Sequence, residues 1–158
     1  MTGTADNGFE LCVERYIAAP PAIVWRAWTE RLVDWWCPKP WSTRIIEHDL
    51  RPGGRSAMVM TGPDGETSSG DGVFLEVIPE RRIVFTDAFS AGWIPQKPFM
   101  LGFFELEPKG TGTHYRAGAR HWDAASMQQH DEMGFIPGWR TVADQLAEIA
   151  EDMARQRG

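Results

Sequence analysis

The sequence predicts an α+β fold, with one curved antiparallel sheet of about six to seven strands wrapped around a long C-terminal helix and two short helices after the first strand. Three observations predict it. Apolar and polar residues alternate with period two in short runs, first over Phe9–Ala18 and again between Arg44 and Trp122. Gly, Pro and Asp turns separate these runs, and such turns are too short for the parallel crossovers that need a dozen or more residues. Beyond Pro137 the period changes, and Trp139, Val142, Leu146, Ile149 and Met153 recur at helical spacing.

Phe9–Ala18 reads as the first strand, with Leu11, Val13 and Ile17 on one side. Pro20-Pro21 suits the first turn of a helix carrying Ile23, Val24, Trp25, Ala27 and Trp28. Arg31–Trp36 forms a second helical turn, stopped by Pro38 and Pro40. Strands follow over Arg44–Arg51, Arg55–Thr61, Gly72–Ile78, Arg82–Phe89, Phe99–Leu106 and Thr113–Trp122. Asp123 is a suitable N-cap for a helix running to about Met133, and Gly134 is its stop. A last helix then starts at Pro137.

The chain has 158 residues, 42% of them hydrophobic, and a formal net charge of -6. That suits one domain over residues 9–155 with a tail at 1–8. The acidic balance argues against a general nucleic-acid backbone binder, although 13 of the 16 cations are Arg. No apolar run is long enough to insert into a membrane, and the N-terminus lacks the features of a signal peptide, so a cytoplasmic location is expected. Cys12 and Cys37 have no CxxC partner and are expected as free thiols. The four histidines show no metal-ligand spacing, so neither a metal nor a cofactor is expected. The unusual number is 8 Trp against 2 Tyr.

Four motifs carry a resemblance. They are Pro20-Pro21-Ala22-Ile23-Val24-Trp25-Arg26-Ala27-Trp28, Trp35-Trp36-Cys37-Pro38-Lys39, Asp49-Leu50-Arg51-Pro52-Gly53-Gly54-Arg55 and His130-Asp131-Glu132-Met133-Gly134-Phe135-Ile136-Pro137-Gly138-Trp139. In that order they resemble the helix-grip superfamily of START lipid-transfer and birch-pollen-allergen-like domains (SRPBCC). The branch is the one related to the C-terminal domain of the activator of the 90-kDa heat-shock protein ATPase. Cys37 departs from the family's usual Gly, and Pro40-Trp41 enlarge the same loop. The resemblance implies a helix-grip fold with a cavity between the sheet and the last helix, and makes a stress or detoxification role conceivable.

The strand faces supply site candidates. Ile83, Phe85, Asp87 and Phe89 share one side; Phe99, Leu101, Phe103 and Glu105 share another. Thr113, Tyr115, Ala117, Ala119 and His121 share a third, opposite the solvent-facing His114, Arg116 and Arg120. Turned inward, these sides present Asp87, Glu105, Tyr115 and His121 to a greasy interior. His130 joins them through its motif. A carboxylate in apolar surroundings, or a histidine near neutral pH, can move protons. Asp87, Glu105, His121 and His130 are therefore the acid–base candidates, with strand-end solvation and local hydrogen bonding as the alternative. Trp36, Trp41, Phe85, Trp93, Phe99, Phe103, Tyr115, His130 and Trp139 are the candidates for holding a small hydrophobic or aromatic ligand. Binding is the leading expectation. Cyclase- or hydrolase-type catalysis and a chaperone-activator role are the alternatives. Arg51 and Arg55 beside the Pro-Gly-Gly turn read as contacts to a partner or an anionic ligand, or as structural ion pairs with acids such as Asp49 and Glu47. A strand apolar on both faces at Phe99–Leu106 hints at a homodimer.

Overall fold

The computed structural model describes residues 8–157. Nine strands are β1 (Glu10–Ile17), β2 (Ser42–His48), β3 (Arg55–Thr61), β4 (Thr67–Ile78), β5 (Arg82–Thr86), β6 (Phe89–Ser90), β7 (Ile94–Pro95), β8 (Leu101–Lys109) and β9 (Gly112–Arg120). Four helices are α1 (Pro21–Glu30), α2 (Leu32–Trp35), α3 (Ala124–Glu132) and α4 (Phe135–Arg157). Seven strands form one sheet in the order β1-β9-β8-β5-β4-β3-β2, and β6 and β7 form a separate two-stranded ribbon. All pairings are antiparallel. This is the helix-grip arrangement.

Curvature has a local cause. Register shifts fall between Ile45 and Glu47 on β2 and between Phe74 and Glu76 on β4. An extra residue on one strand bends it and increases its twist. Helices α1 and α4 pack on each other and cover the concave face. Val142, Ala143, Leu146, Ala147 and Ala150 of α4 meet Ile23, Val24, Ala27 and Trp28 of α1 and Val13 and Ile17 of β1 in one core. The small residues of α4 allow the close approach. Thr113 Oγ1 donates to the carbonyl of Ala19, tying β9 to the start of α1.

Several boundaries differ from expectation. Strand β4 begins at Thr67, five residues early, because backbone pairing with the whole of β3 holds a polar run that carries no alternating pattern. The expected strand Arg82–Phe89 divides: β5 ends at Thr86, and Phe89–Ser90 turns away to pair with Ile94–Pro95. Helix α3 is capped as expected, with Asp123 accepting from the amide of Ser126 at 2.8 Å. Helix α4 starts at Phe135, directly after Gly134 at φ 91°, and takes Pro137 into its first turn.

Strand β8 turns the opposite face inward from the one expected. Phe104 faces the helices, stacked on Trp139 of α4 at 5.6 Å and 9°. Phe103 faces away, beneath the guanidinium groups of Arg116 and Arg120 at 4.8 and 5.1 Å. Two glycines fix this phase. Phe85 is the cross-strand partner of Gly102, and Phe103 of Gly118. A Cβ on Gly102 would lie 2.3 Å from the Phe85 ring, and one on Gly118 2.7 Å from the Phe103 ring. Each aromatic ring lies over a strand position with no side chain. Phe103 is only 2% exposed, so the outer face of β8 offers no bare apolar strip for a second copy.

Candidate functional site

Beneath the helices lies a cavity of about 310 Å³ between the concave face, α2 and the start of α4. Its walls are aromatic: Trp28, Trp35, Trp36, Phe74, Phe85, Phe99, Phe104 and Trp139. Phe104 is the central ring, stacked between Phe85 and Trp139 and met edge-on by Trp28, Trp35 and Trp36. Edge-to-face and offset-stacked contacts of this kind stabilise by about 0.5–1.5 kcal/mol per pair beyond burial.

Hydrogen bonds hold the loop walls of the cavity. Gln145 of α4 donates from Nε2 to the carbonyls of Trp35 at 2.7 Å and Cys37 at 3.0 Å, and its Oε1 accepts from the amide of Lys39 at 3.0 Å. One side chain thus fastens the proline-rich loop, and Trp36 with it, to the long helix. On the other side, Asp87 accepts from the amides of Phe99 and Met100 at 2.9 and 3.2 Å. Gln96 donates to the carbonyls of Asp71 and Asp87. These bonds set the loop that presents Phe99.

The strands, with Asp87 just after β5, give the cavity a polar strip of Ser56, Ser68, Ser69, Asp71, Thr86 and Asp87, opposed to its rings. Trp28 Nε1, Trp36 Nε1 and both ring nitrogens of His48 are buried without a hydrogen-bond partner among the described residues. Burial pulls His48 below the ordinary histidine value. His121 and His130 meet end to end, His121 Nε2 lying 2.9 Å from His130 Nδ1. His121 Nδ1 lies 2.9 Å from the carbonyl of Phe9. His121 is 1% exposed and His130 8%. The His130 ring packs against Phe99 at 4.9 Å and Phe135 at 4.8 Å. Burial first, and the charge of His121 second, pull His130 from 6.5 down to about 4.

Among the nine expected ligand contacts, Trp36, Phe85, Phe99, His130 and Trp139 line this cavity. The other four lie elsewhere. Trp41 packs at Gly62, and Trp93 is 57% exposed on the β6–β7 ribbon, beside Phe89 and Gly53. Phe103 lies on the outer face beneath Arg116 and Arg120. Tyr115 points inward as expected but sits in the core, where burial pushes its phenol up. Of the acid–base candidates, Asp87 and His130 line the cavity, and His121 stands behind His130. Glu105 does not face inward. It accepts from Arg116 at 3.0 Å on the outer face, where Arg82 also approaches it and Glu10 joins Arg116 to Arg120. The reversed phase of β8 is the reason.

Sequence reasoning does not reach Trp28, His48 and Phe104 as cavity residues: Trp28 lies on α1 and His48 at the end of β2, and which side of each faces the cavity depends on how α1 and β2 dock. Arg51 pairs with Asp49, and Arg55 with Asp71 and Glu47. Cys12 and Cys37 are free, and burial pushes the Cys12 thiol up to about 11. Among the described residues no group of three or more His, Cys, Asp or Glu is placed to hold a metal ion. No helix of the described residues is long and apolar enough to cross a membrane.

No curated protein matches the chain. Solved structures do. A crystal structure of a Nitrosomonas europaea protein is 39% identical, covers 94% of this chain and 98% of its own, and superposes with a TM-score of 0.85. A Mycobacterium smegmatis protein is 26% identical over 94% of this chain and 95% of its own, with a TM-score of 0.78. An AHSA1 protein from Silicibacter pomeroyi, 24% identical over 90% of this chain and 99% of its own at a TM-score of 0.67, shares the fold. The sequence profile of the family described as "Activator of Hsp90 ATPase homolog 1-like protein" matches residues 18–151. Such a domain supports a ligand-binding or activator-like role. With the profile spanning most of the chain and the fold agreeing, this protein belongs to the activator of Hsp90 ATPase homolog 1-like family.

Proposed function

We propose that this protein binds a small, flat, aromatic ligand in the cavity between the sheet and α4, using residues 9–155 as one binding unit. One observation carries the reading: indole N–H groups of Trp28 and Trp36 and the His48 ring are buried at an aromatic cavity with no partner among the described residues. A buried donor without a partner costs about 1–3 kcal/mol, and a ligand that accepts from it recovers that cost. The size agrees. About 150 Å³ takes one benzene ring, so about 310 Å³ takes two. The surrounding apolar rings with a few polar atoms are the usual make-up of a small-molecule site.

Tryptophan emission titrated with naphthalene-sized compounds tests the reading. Saturable quenching that disappears in Trp139→Ala, measured on a variant whose circular dichroism is unchanged, is the expected result. No saturable response to any aromatic compound up to its solubility limit overturns it. A second reading, acid–base turnover of the bound compound, is favoured by the hydrogen bond between His121 and His130.

A further inference from the structure

The hydrogen-bond chain Phe9–His121–His130 has a direction. A carbonyl only accepts, so the His121 nitrogen at 2.9 Å from the Phe9 oxygen carries a proton. In the uncharged pair, His121 Nε2 is then a bare lone pair. The proton between the two rings must belong to His130 Nδ1. That leaves His130 Nε2 unprotonated. His130 lines the cavity, its ring held between Phe99 and Phe135. A backbone carbonyl, which cannot change its role, thereby sets the tautomer of a ring two links away.

We infer that the cavity is selective for aromatic ligands bearing an acidic hydroxyl, a phenol or an enol, whose O–H donates to His130 Nε2. This rests on the binding reading above and names the ligand's chemistry. His121 is a positioning residue: it contacts no ligand, but it keeps His130 in the accepting tautomer. Trp28 and Trp36 can only donate, and both amide bonds to Asp87 fall on its Oδ1. His48, whose ring nitrogens have no partner among the described residues, is the competing acceptor that the His130 variant below separates from His130. Charge has an exit as well. If the ligand's O–H bond breaks, its proton forms the His130 Nε2–H bond and leaves an oxyanion. The shared proton can then pass from His130 Nδ1 to His121 Nε2. The positive charge then rests on His121, next to the Phe9 carbonyl and near the Asp123 carboxylate, which interacts electrostatically with His121. No oxidant, reductant or further reactant enters that transfer.

Three probes of one ring system separate this inference from the reading beneath it: naphthalene, naphthol and naphthyl methyl ether, each titrated at a pH of about 8 by tryptophan emission. Naphthalene reports the cavity alone. The hydroxyl and its methyl ether differ only in the donor. The wild-type protein is expected to bind naphthol about tenfold more tightly than the ether, the worth of one good buried hydrogen bond. The ratio should collapse to within about twofold in His130→Phe, which keeps a ring and removes both nitrogens. It should fall several-fold in His121→Gln, with naphthalene as the reference ligand for each variant. Binding of naphthalene and the ether without preference for naphthol overturns the hydroxyl selectivity and leaves the cavity reading standing. A preference for naphthol that survives in His130→Phe overturns His130 as the acceptor. Failure of all three probes to bind overturns both. Should His130→Phe not fold, the wild-type ratio and its fall in His121→Gln decide: a ratio unchanged in His121→Gln overturns the assignment to His130.

Discussion

Acid should weaken this protein through His130, and the size of the effect follows from its surroundings. Burial and the neighbouring His121 charge hold His130 at about 4 in the folded chain, against 6.5 for an ordinary histidine. The folded state therefore resists protonation that the unfolded chain accepts. A lowered folded value gives stability that is complete above the unfolded value and is lost as pH falls toward the folded one. Linkage over that gap amounts to about 2 kcal/mol lost by pH 5 and about 3 kcal/mol at the plateau below pH 4. Urea unfolding followed by circular dichroism across a pH series from 8 to 5 measures it, in wild type and in His130→Phe. Groups common to both, including His48, which burial also pulls down, cancel in the comparison. The variant, whatever its stability at pH 8, should lose about 2 kcal/mol less than wild type on reaching pH 5. Equal losses in the two proteins would refute the argument.

Three other perturbations test the construction of the site. Gln145→Leu, close to isosteric, removes three hydrogen bonds that tie the Trp35–Lys39 segment to α4; it should cost about 2–3 kcal/mol in urea unfolding and weaken ligand binding by loosening Trp36. Trp139→Ala removes the ring stacked between Phe104 and Phe135 and should cost about 3–5 kcal/mol, measured by the shift in urea midpoint. Glu105→Gln breaks ion pairs with Arg82 and Arg116 on the outer face; it should change stability by about 1 kcal/mol or less and leave naphthalene affinity unchanged, whereas a large loss of affinity would return Glu105 to the cavity.

Much of the fold could be read in advance because its signals are local. Asp123 caps a helix through its own third-residue amide, and α4 carries its apolar stripe in every turn. The inward side of β9 was legible for the same reason: Arg116 and Arg120 mark the other face. Strand β8 was not, since Phe103 and Phe104 are adjacent and both buried. What decides its phase is the pairing of Phe85 with Gly102 and Phe103 with Gly118, which joins residues from different strands. The site was half legible on the same principle. Trp36 and Trp139 could be named from their motifs. The meeting of His121 and His130 depends on how the end of β9 and the helix α3 are set against each other.

The tryptophans of the cavity also form an optical unit. Trp28, Trp35, Trp36 and Trp139 follow one another at ring-centre separations of 5.7, 5.7 and 5.4 Å. At such spacing their transition dipoles couple, so light absorbed by one indole migrates among all four before it is emitted. A single electron-accepting molecule beside any of them would then darken the whole group together. Trp93 and Trp122, by contrast, lie on the exposed surface, where solvent and not a ligand in the cavity sets their emission. The cluster of four thus makes occupancy a collective optical event, read by the group and not by one ring.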